Sequence, residues 1–169
     1  MSEPERATNV YEALPQAHPE AVVVYCGDPR LQTAFESFIE TELGLRKGRF
    51  VPLVVGGGAG VLANPERLPK EFKFMKDRFE LIHRCFPSIH RVVLINHEDC
   101  LYYRLLAEKI PGFLTGHASR LRDRPGEDLA LIARVFHRLL SHLGLKVELY
   151  YARFVDGDCS KVTFDPVLI

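Results

Sequence analysis

Short apolar runs that alternate with helical patterns restrict the fold of this chain more than any other feature. The runs suited to β-strands span 21–25, 50–55, 91–96 and 146–154. Apolar residues recur at helical spacing over 29–43, 66–86, 100–110 and 127–143. This alternation predicts an α/β fold with a mostly parallel central β-sheet that is flanked by helices on both faces.

Composition limits the number of domains and the kinds of partner. The 169 residues are 47% hydrophobic, which predicts a single α/β domain over 19–169 after a polar N-terminal segment over 1–18. The 22 Lys and Arg balance the 22 Asp and Glu, so nothing favours nucleic acid or a membrane surface as a partner. No apolar stretch approaches the roughly 20 residues that span a bilayer, and we expect a cytoplasmic protein.

The four cysteines favour free thiols or metal ligands over disulfides, because a chain of this size folds without cross-links. They are Cys26, Cys85, Cys100 and Cys159. Two of them, Cys85 and Cys159, have no other metal-binding residue nearby in sequence. We expect these two to be packed or inert.

Polar residues follow the first and third strand runs directly. The first run ends in "CGDPR", with Cys26, Asp28 and Arg30, and the third ends in "NHEDC", with His97 and Cys100. Because the carboxyl ends of neighbouring parallel strands lie at one edge of a sheet, two thiolates and an imidazole are expected to converge there. Cys₂His with one open position is a ligand set of catalytic zinc, and soft sulfur ligands disfavour magnesium and calcium.

Each of these residues also has a simpler interpretation. Cys26 and Cys100 are of a type that is often buried as a small hydrophobic residue. Asp28 could be the N-cap of a helix with Pro29 at its first position, and Arg30 could be solvated. These interpretations stay open at the level of sequence.

The paired motifs C-x-D-x-R and H-x-x-C resemble those of the β-class carbonic anhydrases, and the resemblance covers about residues 20–105. It implies that Cys26, His97 and Cys100 hold Zn²⁺ and that zinc-bound hydroxide hydrates CO₂ reversibly to bicarbonate. It also implies catalytic roles for the pair formed by Asp28 and Arg30. In that family the aspartate either pairs with the arginine or binds the metal and closes the site.

The chain departs from the family pattern at two places. Where the family commonly has Arg-Asn-Ala-Gly, this chain has Gly57, Gly58, Ala59 and Gly60, and Leu101 replaces the usual glycine after the second cysteine. Metal binding survives such changes more easily than fast turnover. Three alternatives therefore stay open: a hydrolase of a related small electrophile such as carbonyl sulfide or carbon disulfide, a non-catalytic zinc-binding or sensory domain, and a phosphate-binding module that uses the glycine run over 56–60.

The helix predicted over 66–86 carries two apolar stripes. The first, for packing on the sheet, comprises Phe72, Met75, Phe79, Ile82 and Phe86. The second lies roughly opposite and comprises Phe74, Leu81 and Cys85. Exposed apolar surface marks interfaces, and the family resemblance implies active sites beside a dimer interface, so we expect a homodimer or larger homo-oligomer. The alternative is that the N-terminal segment covers the second stripe.

The segment over 115–128 is polar and rich in arginine. We expect it to be a flexible loop in which Arg120, Arg122 and Arg124 are solvated.

Overall fold

The computed structural model describes residues 9–110, 124–155 and 158–168. It contains one sheet of five strands: β1 (Ala21–Cys26), β2 (Phe50–Val55), β3 (Arg91–His97), β4 (Lys146–Val155) and β5 (Asp158–Pro166). The strand order is β2-β1-β3-β4-β5. The first four strands are parallel, and β5 is antiparallel to β4. The predicted α/β class with a mostly parallel sheet is therefore confirmed.

Four α-helices connect and cover the strands: α1 (Gln32–Thr41), α2 (Pro69–Cys85), α3 (Leu101–Lys109) and α4 (Arg124–Leu140). Short 3₁₀ helices span Gly58–Leu62 and Ser141–Leu143. Within the described part of the chain, no helix has both the length and the apolar character needed to cross a membrane.

Strand β1 lies inside the sheet and is buried along its whole length. Its alternate side chains enter two separate hydrophobic clusters. Val23 and Tyr25 pack with α1 and α3, whereas Val22 and Val24 pack with α2 and α4. Because both faces of the sheet are covered, the sequence of β1 is a continuous apolar run and does not alternate between apolar and polar residues. The prediction of helices on both faces is confirmed.

Three helices begin three residues away from the predicted start, among them the helix predicted from residue 66, which begins at Pro69. The helix predicted from residue 29 begins at Gln32, because residues 29–31 form a turn before it, in which the Leu31 amide donates to the Asp28 backbone oxygen. The helix predicted from residue 127 begins at Arg124. Gly44 follows α1, and Gly144 follows the 3₁₀ helix after α4; their φ values of 67° and 64° lie in the left-handed region that favours glycine.

Strand β5 was not predicted. It lies at the edge of the sheet, and most of its residues are exposed or only partly buried. Val162 and Phe164 are its residues that pack against the core cluster of α1. An edge strand with so few buried side chains lacks the apolar pattern by which the other strands were found.

The two stripes of α2 differ in burial. Met75 and Phe79 of the first stripe are buried, but its last residue, Phe86, lies beyond the helix end and is exposed. In the second stripe Phe74 and Leu81 are 47% and 43% exposed. The expected apolar surface is present, and the assembly that it suggests stays a prediction.

Candidate metal centre

Three predicted ligands meet at the carboxyl end of the sheet. Cys26 ends β1, His97 ends β3, and Cys100 is the N-cap residue of α3. One ligand atom from each lies within 4.8 Å of the other two, and the two Sγ atoms are 3.8 Å apart. The three residues are 0%, 1% and 2% exposed. The convergence predicted from the strand ends is thus observed.

The imidazole is held in the orientation of a metal ligand. Nδ1 of His97 lies 2.8 Å from the backbone oxygen of Glu98, so it carries the hydrogen and donates it there. Nε2 is then left with a lone pair, and this buried atom has no hydrogen-bond partner among the described residues. A ligating histidine typically donates its second nitrogen to such a carbonyl. A buried lone pair beside two thiols fits Zn²⁺.

The two thiols are hydrogen-bonded to each other. This hydrogen bond, together with the Gly57 amide, lowers the pKa of Cys26 to about 4, and the same hydrogen bond raises the pKa of Cys100. Backbone amides of Tyr103 and Tyr102, at the start of α3, act in the opposite direction on Cys100 and favour its thiolate. A cation that binds both sulfurs displaces the proton of this hydrogen bond.

The glycine run packs tightly against the strand ends. A Cβ on Gly58 would lie 2.8 Å from the backbone oxygen of Ile95, and one on Gly60 would lie 2.0 Å from the Tyr103 hydroxyl. Gly58 also has a φ of 57°. Gly58, Ala59 and Gly60 are buried, which gives the run a packing role beside the thiols.

Asp28 and Arg30 form a two-pronged ion pair beside the three ligands. Nε of Arg30 donates to Oδ1 of Asp28 at 3.1 Å, Nη2 donates to Oδ2 at 2.7 Å, and the Arg30 amide donates to Oδ1 at 3.0 Å. Burial raises the pKa of Asp28, but the hydrogen bonds and charge of Arg30 outweigh it and the pKa is lowered. The N-cap interpretation of Asp28 is wrong, because Leu31 occupies that position.

Two site residues were missed at the level of sequence. The Glu98 carboxylate accepts the Phe154 amide at 2.8 Å, and the Glu98 amide donates to the Ala152 oxygen at 2.8 Å, which ties the His97 segment to β4. Nε2 of Gln32 donates to the backbone oxygens of Cys26 and Asp28. Only their positions inside or beside the two motifs could have indicated these roles.

A buried polar cluster lies behind the site. Nε of Arg124 donates to Oδ1 of Asp128 at 2.8 Å, and the Tyr103 hydroxyl donates to Oδ2 at 3.0 Å. Burial raises the pKa of Asp128. The expectation that Arg124 is solvated is wrong, since this residue is buried in the first turn of α4. Arg120 and Arg122 lie outside the described residues.

The other two cysteines are on the surface. Cys85 and Cys159 are free and exposed, so they are not packed, and the other half of the expectation, that they are inert, stays a prediction. They are well suited as controls for the two buried thiols.

Comparison with known proteins gives matches among solved structures alone. Neither the family models nor the curated proteins compared with the chain match it. The β-carbonic anhydrase CafA of Aspergillus fumigatus is 18% identical, with 89% of this chain and 76% of that chain covered and a TM-score of 0.48. A tetrameric β-carbonic anhydrase of Sordaria macrospora is 16% identical, with 88% and 81% covered and a TM-score of 0.45.

The third structure is β-carbonic anhydrase isoform I of Trichomonas vaginalis. It is 16% identical, with 92% of this chain and 87% of that chain covered and a TM-score of 0.49. All three of these structures are β-carbonic anhydrases, the family that the two sequence motifs resemble.

Proposed function

We propose that the protein is a zinc-dependent lyase that hydrates CO₂ reversibly to bicarbonate, with Cys26, His97 and Cys100 as the zinc ligands. The observation that carries this proposal is the buried convergence of two thiols with an imidazole Nε2 that has no hydrogen-bond partner among the described residues. The resemblance of the motifs to the β-class carbonic anhydrases supports the choice of reaction.

The charges of the ligand set suit a buried divalent cation. Two thiolates balance the charge of Zn²⁺, and the neutral imidazole adds none, so zinc and its three protein ligands together carry no net charge. Amides of Gly57, Tyr102 and Tyr103 face the sulfurs and stabilise the thiolates. When bound, zinc supplies a Lewis acid that lowers the pKa of water from about 15.7 to about 7 and so provides a nucleophile at neutral pH.

Asp28 and Arg30 orient the reaction in this proposal. Arg30 holds the Asp28 carboxylate ionised and in one orientation, in which it would accept a hydrogen bond from the attacking water. A carboxylate whose pKa is lowered retains a proton poorly at neutral pH, so the proton released in each turnover passes on to buffer.

The second stripe of α2 is proposed as the interface of a cytoplasmic homodimer. Phe74 and Leu81 expose apolar surface, and Phe74 lines a cavity of about 400 Å³ with Val55, Met75 and Tyr102. Surface of this kind is costly to leave in water. Four free cysteines suit a reducing compartment.

A non-catalytic zinc site is a second candidate, favoured by the near-complete burial of all three ligands. In this case Asp28 would close the site. Zinc would then stabilise the fold, or the protein would act as a sensor of zinc concentration. Turnover separates the two candidates.

The test uses matched cysteine variants of the full chain. We expect Cys26→Ser and Cys100→Ser to lose most of their zinc and CO₂ hydration activity, since a hydroxyl is a far poorer soft ligand than a thiolate. Cys85→Ser and Cys159→Ser should keep both. Zinc content by mass spectrometry and stopped-flow hydration are measured on the same samples. Full zinc occupancy in both buried-site variants would contradict the site, and zinc without turnover in the parent protein would select the second candidate.

A further inference from the structure

Arg30 lies between two acidic residues that belong to different ligand-bearing segments. On one edge its guanidinium binds Asp28, in the segment that begins with Cys26. On the other edge Nη1 donates to Oδ2 of Asp99 at 3.3 Å, and Nη2 donates to the Asp99 backbone oxygen at 3.0 Å. Asp99 directly precedes Cys100 and lies two residues after His97. We call the contacts among Asp28, Arg30 and Asp99 the Arg30 bridge.

Asp99 is itself held in an unusual conformation. Its φ of 55° is in the left-handed region, and it is the non-glycine residue with positive φ among those that the structure describes. Such a conformation is unfavourable for a residue with a Cβ atom and persists where surrounding contacts maintain it. Here the Asp99 carboxylate binds both Arg30 and Arg104 of α3.

The bridge also contacts the sheet. The Arg30 guanidinium carbon lies 5.8 Å from the centroid of the Phe154 ring on β4. The Phe154 amide in turn donates to Glu98, whose backbone oxygen accepts from His97. The arginine is therefore positioned by groups from both segments and from β4, although its side chain is 40% exposed.

We infer that Asp99 is a positioning residue of the metal centre: through Arg30 it joins the two ligand-bearing segments and holds Cys26 and Cys100 at the spacing that the metal requires. This inference rests on the proposed zinc site. A site held in its bound geometry reorganises less on binding, and loss of an outer partner of metal ligands typically lowers metal affinity about 10- to 100-fold.

The test measures how fast zinc leaves the loaded full chain in the presence of a chromogenic chelator. Asp99→Asn removes the charge but keeps a residue that tolerates the left-handed region, so backbone strain is not increased. We expect zinc to leave about tenfold faster. Asp165→Asn is the matched control, because Asp165 forms an exposed ion pair with Arg153 at 2.7 Å, on β5 and away from the site. Its rate should equal that of the parent protein.

A double-mutant cycle distinguishes an effect of Asp99 on the metal ligands that acts through Arg30 from a local effect of Asp99 on α3. In an Arg30→Gln background the bridge is already broken, so Asp99→Asn should not accelerate zinc release further. Equal acceleration in both backgrounds would overturn the inference, as would an Asp99→Asn rate within about twofold of the parent. Far-ultraviolet circular dichroism checks that the variants are folded. A parent protein that binds no zinc contradicts the proposed site as well, whereas normal zinc content with unchanged release contradicts this inference alone.

Discussion

Replacement of Arg30 by alanine removes the side-chain partner of a buried carboxylate. The Asp28 side chain is 1% exposed, and Arg30 supplies two of its donor groups through Nε and Nη2. After the substitution the backbone amide at position 30 is the donor that remains from the present contacts. The carboxylate must then become protonated, form hydrogen bonds with water or pair with another positive charge.

The size of the effect follows from the burial of the two partners. Removing one partner of a fully buried ion pair costs about 3–5 kcal/mol, whereas a solvent-exposed pair contributes about 0–1 kcal/mol. The Arg30 side chain is 40% exposed, so its charge is partly screened by water. We therefore expect Arg30→Ala to lower the free energy of unfolding of the metal-free protein by roughly 1–3 kcal/mol.

Zinc should reduce this loss, because the released carboxylate can bind the metal at its remaining position. The zinc-loaded variant is then expected to be less destabilised than the metal-free variant, to retain stoichiometric zinc and to lose CO₂ hydration activity. Urea unfolding with and without zinc, followed by circular dichroism, measures the stabilities. Arg153→Ala breaks an exposed pair and should cost less than about 1 kcal/mol in both states. Unchanged turnover, together with equal destabilisation in both states, would refute the reasoning.

Two further predictions concern assembly and acid stability. Phe74→Glu should convert the proposed dimer into a monomer without loss of zinc, since Phe74 is exposed on α2 and outside the ligand set. Light scattering behind a sizing column checks this, and a monomeric parent protein at micromolar concentration would contradict the proposed interface. The lowered pKa of Asp28 means that its ion pair stabilises the fold above the unfolded-state value of about 3.9 and loses that contribution as pH falls through the folded-state value. The free energy of unfolding of Asp28→Asn should therefore fall less steeply with decreasing pH than that of the parent. Parallel curves of unfolding free energy against pH for variant and parent would argue against a stabilising ion pair.

The sheet and the three converging ligands could be predicted because strand ends are located by apolar runs. Parallel strands that end in polar residues bring those residues to one edge, whatever the details of packing. Cys26, His97 and Cys100 are found there. Strand β5 could not be predicted, because an exposed edge strand buries too few side chains to produce a pattern.

Other contacts in the site depend on backbone and side-chain conformations that the pattern of apolar residues does not specify. The contact between Arg30 and Asp99 requires a left-handed backbone at Asp99 and one particular arginine rotamer. Arg124 was expected in a loop because the segment over 115–128 is polar and rich in arginine, and Pro125 directly follows Arg124. Proline is nonetheless compatible with the first helical turn, where its missing amide hydrogen has no partner to lose, and α4 therefore begins before it.

The proposed zinc ligand set is tested most directly by X-ray absorption at the zinc edge of the loaded protein. The account predicts two sulfur ligands at about 2.3 Å and one imidazole nitrogen at about 2.0–2.1 Å, with one further oxygen or nitrogen ligand. Cys26→Ser should remove one sulfur from this shell or abolish zinc binding, and Cys85→Ser should leave the spectrum unchanged. A shell of oxygen and nitrogen alone, or one that Cys26→Ser does not alter, would contradict the account.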